Sequence, residues 1–159
     1  MPSNTKSAYD AISRFAVEHR VRWCDVDASG FLGVDALVRK MEETEYAFLR
    51  SRGLSVVLTD GRGLVGFPRL AVEVKIIQPA TFDDRLTVEL ALTVLDGKSI
   101  TYEFVVFGEG QKEMASGKFQ VACCRFPKDA SMFAILTPDY VIQALTKPGG
   151  YPSQIDSDR

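Results

Sequence analysis

Histidine, cysteine and tryptophan are scarce in this chain of 159 residues, with one His, three Cys and one Trp. A lone His19 cannot supply a His cluster, and it stands in a strand-like stretch where a structural role is expected. Cys24, Cys123 and Cys124 are odd in number and lack metal-ligand spacing. They read as buried free thiols rather than as a disulfide framework or a zinc site. No apolar run reaches the length of a membrane span, and the opening MPSNTKSAYDAISRF has no hydrophobic signal core. The expectation is a cytoplasmic protein with no membrane partner. A net charge of -2 gives no reason to expect nucleic acid. Local cations at Arg39, Lys40, Arg50, Arg52, Arg62 and Arg69 leave room for a small anionic ligand.

What is present suits one domain with a sizeable core, since 46% of the residues are hydrophobic. The stretch DVDASGFLGVDA, residues 25–36, resembles the first part of a calcium loop, with Asp25, Asp27, Ser29 and Gly30 at the early positions. Position 12 of such a loop needs a bidentate Glu, and here it is Ala36. The preceding FAVEHRVRW alternates Phe15, Val17, Val21 and Trp23 with Glu18, Arg20 and Arg22. That is a strand of period two, whereas a calcium loop of this type follows a helix.

Beyond the loop, Val34, Leu37, Val38, Met41 and Phe48 follow helical spacing among good helix formers. Asp35 near the start and Arg50 and Arg52 near the end suit the helix dipole, and Gly53 offers a stop. This predicts a long helix over Val34–Arg52. Residues 55–66, with Gly61, Gly63 and Gly66, read as a loop without phosphate-binding spacing. Period two then returns at Leu70–Ile76, Leu86–Val94 and Ile100–Val106, with Asp96-Gly97 signalling a tight hairpin. Glu113–Phe126 is the expected last strand, with small Ala115, Ser116 and Gly117 at its middle. Thr137-Pro138 reads as the cap and first residue of a short helix to about Leu145. Residues 1–146 thus form one domain, and 147–159 a polar, disordered tail. The fold class is α+β, a curved antiparallel sheet of about five strands wrapped around one long central helix.

Strand, Asp-x-Asp-x-x-Gly-hydrophobic turn and central helix, in RVRWCDVDASGFLGVDALVRKMEETEYAFLRSRG, resemble the hotdog-fold acyl-CoA thioesterases of the 4-hydroxybenzoyl-CoA thioesterase family. The matching positions are Asp25, Asp27, Gly30, Phe31, Glu42 and Gly53, and the likeness runs from about Phe15 to Phe126. The resemblance implies hydrolysis of an acyl-CoA or acyl-carrier-protein thioester. It puts the catalytic carboxylate, nucleophile or general base, on Asp27. It puts an activating backbone N–H near Val34 and a water- or substrate-orienting role on Glu42. No cofactor or metal is implied, coenzyme A being part of the substrate, and a homodimer or homotetramer is. Arg62, Arg69, Arg125 and Lys128, at expected loop or strand ends, are candidates for the coenzyme A phosphates. Many members carry polar and aromatic residues early in the helix. Gly33, Ala36 and Leu37 stand there in this chain, which implies a more apolar acyl group. Two other readings share the fold. One is a non-catalytic acyl-thioester-binding module; the other is a dehydratase, which would pair its acid with a His.

Overall fold

Alternation in the first described segment produces an edge strand, β1 (Ser13–Arg20), with Phe15 inward and Arg14, Glu18 and Arg20 outward. The computed structural model of the protein describes residues 11–148. β1 stops at Arg20 rather than at Trp23. The Asp25 carboxylate accepts the Arg22 N–H at 2.8 Å, and Trp23–Asp25 closes a 3-10 turn. Period two ends there, so Trp23 is 71% exposed instead of lining the core.

α1 (Val34–Ser51) buries Leu37, Met41, Thr44 and Phe48, a stripe of helical period. Gly53, at φ +73°, ends it. The Gly53 N–H donates to Arg50 O (3.0 Å) and the Leu54 N–H to Leu49 O (2.9 Å), a Schellman stop. Next come β2 (Val57–Asp60) and β3 (Gly63–Gly66), where the sequence suggests only a loop. They are followed by β4 (Arg69–Ile76), β5 (Arg85–Asp96), β6 (Ser99–Phe107) and β7 (Glu113–Ala122). The expected long last strand is two strands. The chain leaves the main sheet at Cys123, whose N–H donates to Lys98 O, and continues as β8 (Cys124–Phe126). β9 (Phe133–Ala134) and α2 (Asp139–Thr146) follow. Pro138 caps α2, so the helix begins one residue later than expected.

The main sheet has the order β1-β5-β6-β7-β4 and is antiparallel throughout. Its inner face carries Leu86, Val88, Leu90 and Leu92 of β5 and Tyr102 and Phe104 of β6, all at most 1% exposed. Phe48 of α1 meets Phe15 and Tyr102, with ring centroids 5.8 and 6.3 Å away. Burial of such side chains stabilises the fold by ~1.5–3 kcal/mol each. The small residues of β7 mark where α1 crosses the sheet: a Cβ on Gly117 would lie 2.7 Å from Met41 Sδ. A second sheet, β2-β3-β8-β9, is closed by Arg125, which grips both Asp60 oxygens at 2.8 and 2.9 Å.

Cys123 and Cys124 are buried free thiols, but Cys24 is exposed because it sits on the 3-10 turn. No helix among the described residues is long and apolar enough to cross a membrane. The expected tail lies, from residue 149 onward, outside the described residues.

Candidate active site

The loop between β1 and α1 is pinned at both ends. Asp25 ties its start, since its carbonyl oxygen accepts the Gly33 N–H at 2.9 Å and its carboxylate accepts from Lys40 Nζ at 2.8 Å. Lys40 also donates to Arg20 O at 3.3 Å, and both side chains of the ion pair are close to fully buried. Within the loop Val26 bridges Leu32, the Asp27 N–H donates to Phe31 O, and the Gly30 N–H donates to Asp27 O. Gly30 takes φ +83°, which a residue with a Cβ adopts only under strain.

The result is a tight turn with Asp27 at its first position. Its Oδ1 accepts the Ser29 N–H at 2.8 Å and the Ser29 hydroxyl. These bonds, the hydroxyl first, hold the Asp27 carboxyl below the usual carboxylate range, so it is ionised at neutral pH. The acids that suggested a calcium loop face different partners, Asp25 toward Lys40 and Asp27 toward Ser29.

Asp27 and Ser29 stand at a cavity of about 160 Å³ whose apolar walls include Leu37 of α1, Leu86 of β5, Val106 of β6 and Ala115 of β7. Ile76 and Gln78, at and just past the end of β4, also line it. The cavity is smaller than the ~300–1,000 Å³ of usual small-molecule sites. The cavity has room for a small apolar group or one end of a larger ligand.

Val34 is the first residue of α1, capped by Gly33, which offers no side chain. The Asp35 carboxylate folds back onto the helix start, where the Ala36 amide and then Arg39 lower its pKa. The Val34 N–H has no acceptor among the described residues. The cavity wall contains Leu32 but neither Gly33 nor Val34. Of the two expected groups, the cavity wall thus contains Asp27 and not Val34. Glu42 lies about 12 Å further along α1. It is outside the cavity wall, and its Oε1 is 3.3 Å from Arg69 Nη2.

Two of the cations considered for phosphate are committed elsewhere, Arg69 to Glu42 and Glu45, and Arg125 to Asp60. His19, expected to be structural, packs against α1. Its Nε2 lies 2.9 Å from Thr44 Oγ1, and burial, then the Lys40 charge, pushes its pKa down to about 4. Sequence reasoning counted Lys40 only as a local cation, not as the buried partner of Asp25, and passed over Glu45. Their positions beside the buried stripe of α1 were the available signal, obscured by their charge.

Residues 21–138 match the family model described as the thioesterase-like superfamily. No curated protein matches the chain. Among solved structures, a 1,4-dihydroxy-2-naphthoyl-CoA thioesterase from Synechocystis superposes with a TM-score of 0.74 at 20% identity, covering 84% of this chain and 96% of that one. A gentisyl-coenzyme A thioesterase gives 0.69 at 23% identity, with 82% and 98% covered. A mutant 4-hydroxybenzoyl-CoA thioesterase complexed with 4-hydroxybenzoyl-CoA gives 0.71 at 15% identity, with 83% and 98% covered. The architecture around the cavity is the hotdog fold of these enzymes.

Proposed function

Since the chain belongs to the thioesterase-like superfamily, we propose that it hydrolyses an acyl-CoA or acyl-carrier-protein thioester to a free acid and a thiol, with Asp27 at the reacting carbon. One observation carries this reading. An ionised carboxylate stands at the rim of an apolar cavity, a few residues before a helix whose first amide has no acceptor among the described residues.

Asp27 has two possible tasks in that position. It attacks the thioester carbonyl carbon and expels the sulfur as a thiolate, leaving an anhydride that water opens. Alternatively it takes a proton from an attacking water and returns it to the departing sulfur. Either route passes through a tetrahedral oxyanion. The Val34 N–H is the donor we assign to it, helped by the positive end of α1. A donor of this kind contributes on the order of 3 kcal/mol to transition-state stabilisation. Glu42, held by Arg69, receives no step in this scheme.

A second copy of the chain is part of the proposal. β4 is an edge strand whose Leu70, Val72 and Ile76 are 64%, 43% and 47% exposed, and Ile76 also lines the cavity. An uncovered apolar edge of this kind invites a partner strand. Pairing there would bring the copy's residues to the cavity and enlarge it.

The second reading is a module that holds an acyl thioester without hydrolysing it. It is favoured by the Ser29 bonds to Asp27, which are those of an ordinary turn carboxylate. A panel of acyl-CoAs, aromatic through long aliphatic, decides between them. Thiol release, strongest with compact apolar acyl groups, is expected. Saturable binding of the same panel without release would leave the module.

A further inference from the structure

Trp23 is the most exposed large apolar residue described, and it is not alone. Its ring stacks on Phe82 with centroids 3.9 Å apart and planes 11° from parallel. Phe82 is itself 41% exposed, as is Phe31 nearby on the active-site loop. The segments carrying the stack are tied together. The Val21 N–H donates to Asp84 O and the Asp83 N–H to Val21 O, while Phe31 bridges Thr81 and the Leu32 N–H donates to Ala80 O. Asp83 takes φ +70°, uncommon for a residue with a side chain. The backbone is thus held in a sparsely populated conformation beside a ring it keeps at the surface.

Residues adjoining the stack in sequence line two concavities. Asp27, Phe31 and Ala80, on the two segments it joins, line the cavity described above. Arg22 and Cys24, the residues either side of Trp23, line a groove of about 580 Å³ between β1 and α1. Five cationic side chains border that groove, Arg20, Arg22, Arg39, Lys40 and Arg50, against the carboxylates of Glu18, Asp25 and Glu43. Asp25 is answered by Lys40. Arg20 and Arg39 hold exposed carboxylates, Asp83 and Asp35, in surface pairs of a kind that contributes little.

We propose that the outer face of Trp23 is the platform on which the adenine of an acyl-CoA stacks, with its phosphates directed toward Arg22 and the cationic groove. The flat ring pair, the adjoining cations and the position beside the cavity all fit an aromatic base carrying several negative charges. The proposal rests on the thioesterase reading for the identity of the ligand, and it selects coenzyme A over a carrier protein as the thiol.

Trp23 is the only tryptophan in the chain, so its fluorescence reports this surface directly. Native protein is titrated with coenzyme A and with adenosine 3′,5′-bisphosphate, which has the base and phosphates but no thioester. Saturable quenching by both is expected. In parallel, KM and kcat are measured for an acyl-CoA and for the matching acyl-pantetheine, which lacks the nucleotide. Trp23→Ala should raise KM for the acyl-CoA on the order of tenfold, as loss of a base–aromatic stack does, with kcat held and acyl-pantetheine unaffected. Trp23→Phe should recover most of the loss. Absence of quenching, or an equal change for both thioesters, overturns the platform. Emission that changes with protein concentration but not with nucleotide also overturns it, in favour of a subunit contact. Saturable quenching without turnover of any thioester would keep the nucleotide site and remove the proposed activity.

Discussion

Glu45 on α1 is 1% exposed, and burial raises its pKa from 4.5 to about 7, with the nearby Arg69 charge pulling the other way. Arg69 Nη1 lies 2.6 Å from Glu45 Oε2, and its charge, then its hydrogen bond, pull the pKa back without cancelling the burial. The sign follows from linkage. The folded protein holds a proton that the unfolded chain releases, so this residue's contribution to stability falls as pH rises from about 4.5 to about 7. Unfolding free energies of native and Glu45→Gln protein across that window should differ by a slope, the variant gaining on the native protein as pH rises. Parallel curves would contradict the assignment. At this scale the sequence separates Asp25 from Asp27 only by alternation, which points them apart. The structure sends one to the buried Lys40 and the other to the cavity rim. Trp23 was illegible because the residues around it keep period two after the strand itself has ended.

α1 and the main sheet were legible because each presents a long stripe of one period. α1 ends within one residue of the position its composition and Gly53 indicate. The second sheet was not legible. β2, β3, β8 and β9 are 4, 4, 3 and 2 residues long, too short to display a period, and the clustered glycines read as loop. The Asp96-Gly97 signal found the right hairpin with the turn one residue off, since Asp96 pairs with Ser99 across Gly97 and Lys98. Gly117 shows how one element constrains another. A side chain there would meet Met41 Sδ at 2.7 Å and Glu73 O at 3.3 Å. Gly117→Val should therefore destabilise the protein by roughly 2 kcal/mol through overpacking, read as a lower denaturant midpoint. An unchanged midpoint would mean that the Met41 side chain can swing aside without loss.

For the whole molecule, the apolar pattern of β4 was legible but its destination was not. Leu70, Val72 and Ile76 alternate as for a buried face, yet the strand lies at the sheet edge and leaves them in solvent. The second copy proposed above would cover that edge and complete a cavity smaller than usual small-molecule sites. Val72→Glu should leave the protomer folded and shift sedimentation from dimer to monomer, with loss of activity. A monomeric native protein with full turnover would remove the second copy from the account. The central claim is that the Asp27 carboxylate performs the chemistry. The most direct measurement is kcat/KM for the best acyl-CoA with native protein and with Asp27→Asn, checked by circular dichroism for an unchanged fold. Asn preserves an acceptor for Ser29 and removes the charge. A fall of at least about a hundredfold, the effect of losing a catalytic base, is predicted. Equal turnover by native and variant protein would contradict the account.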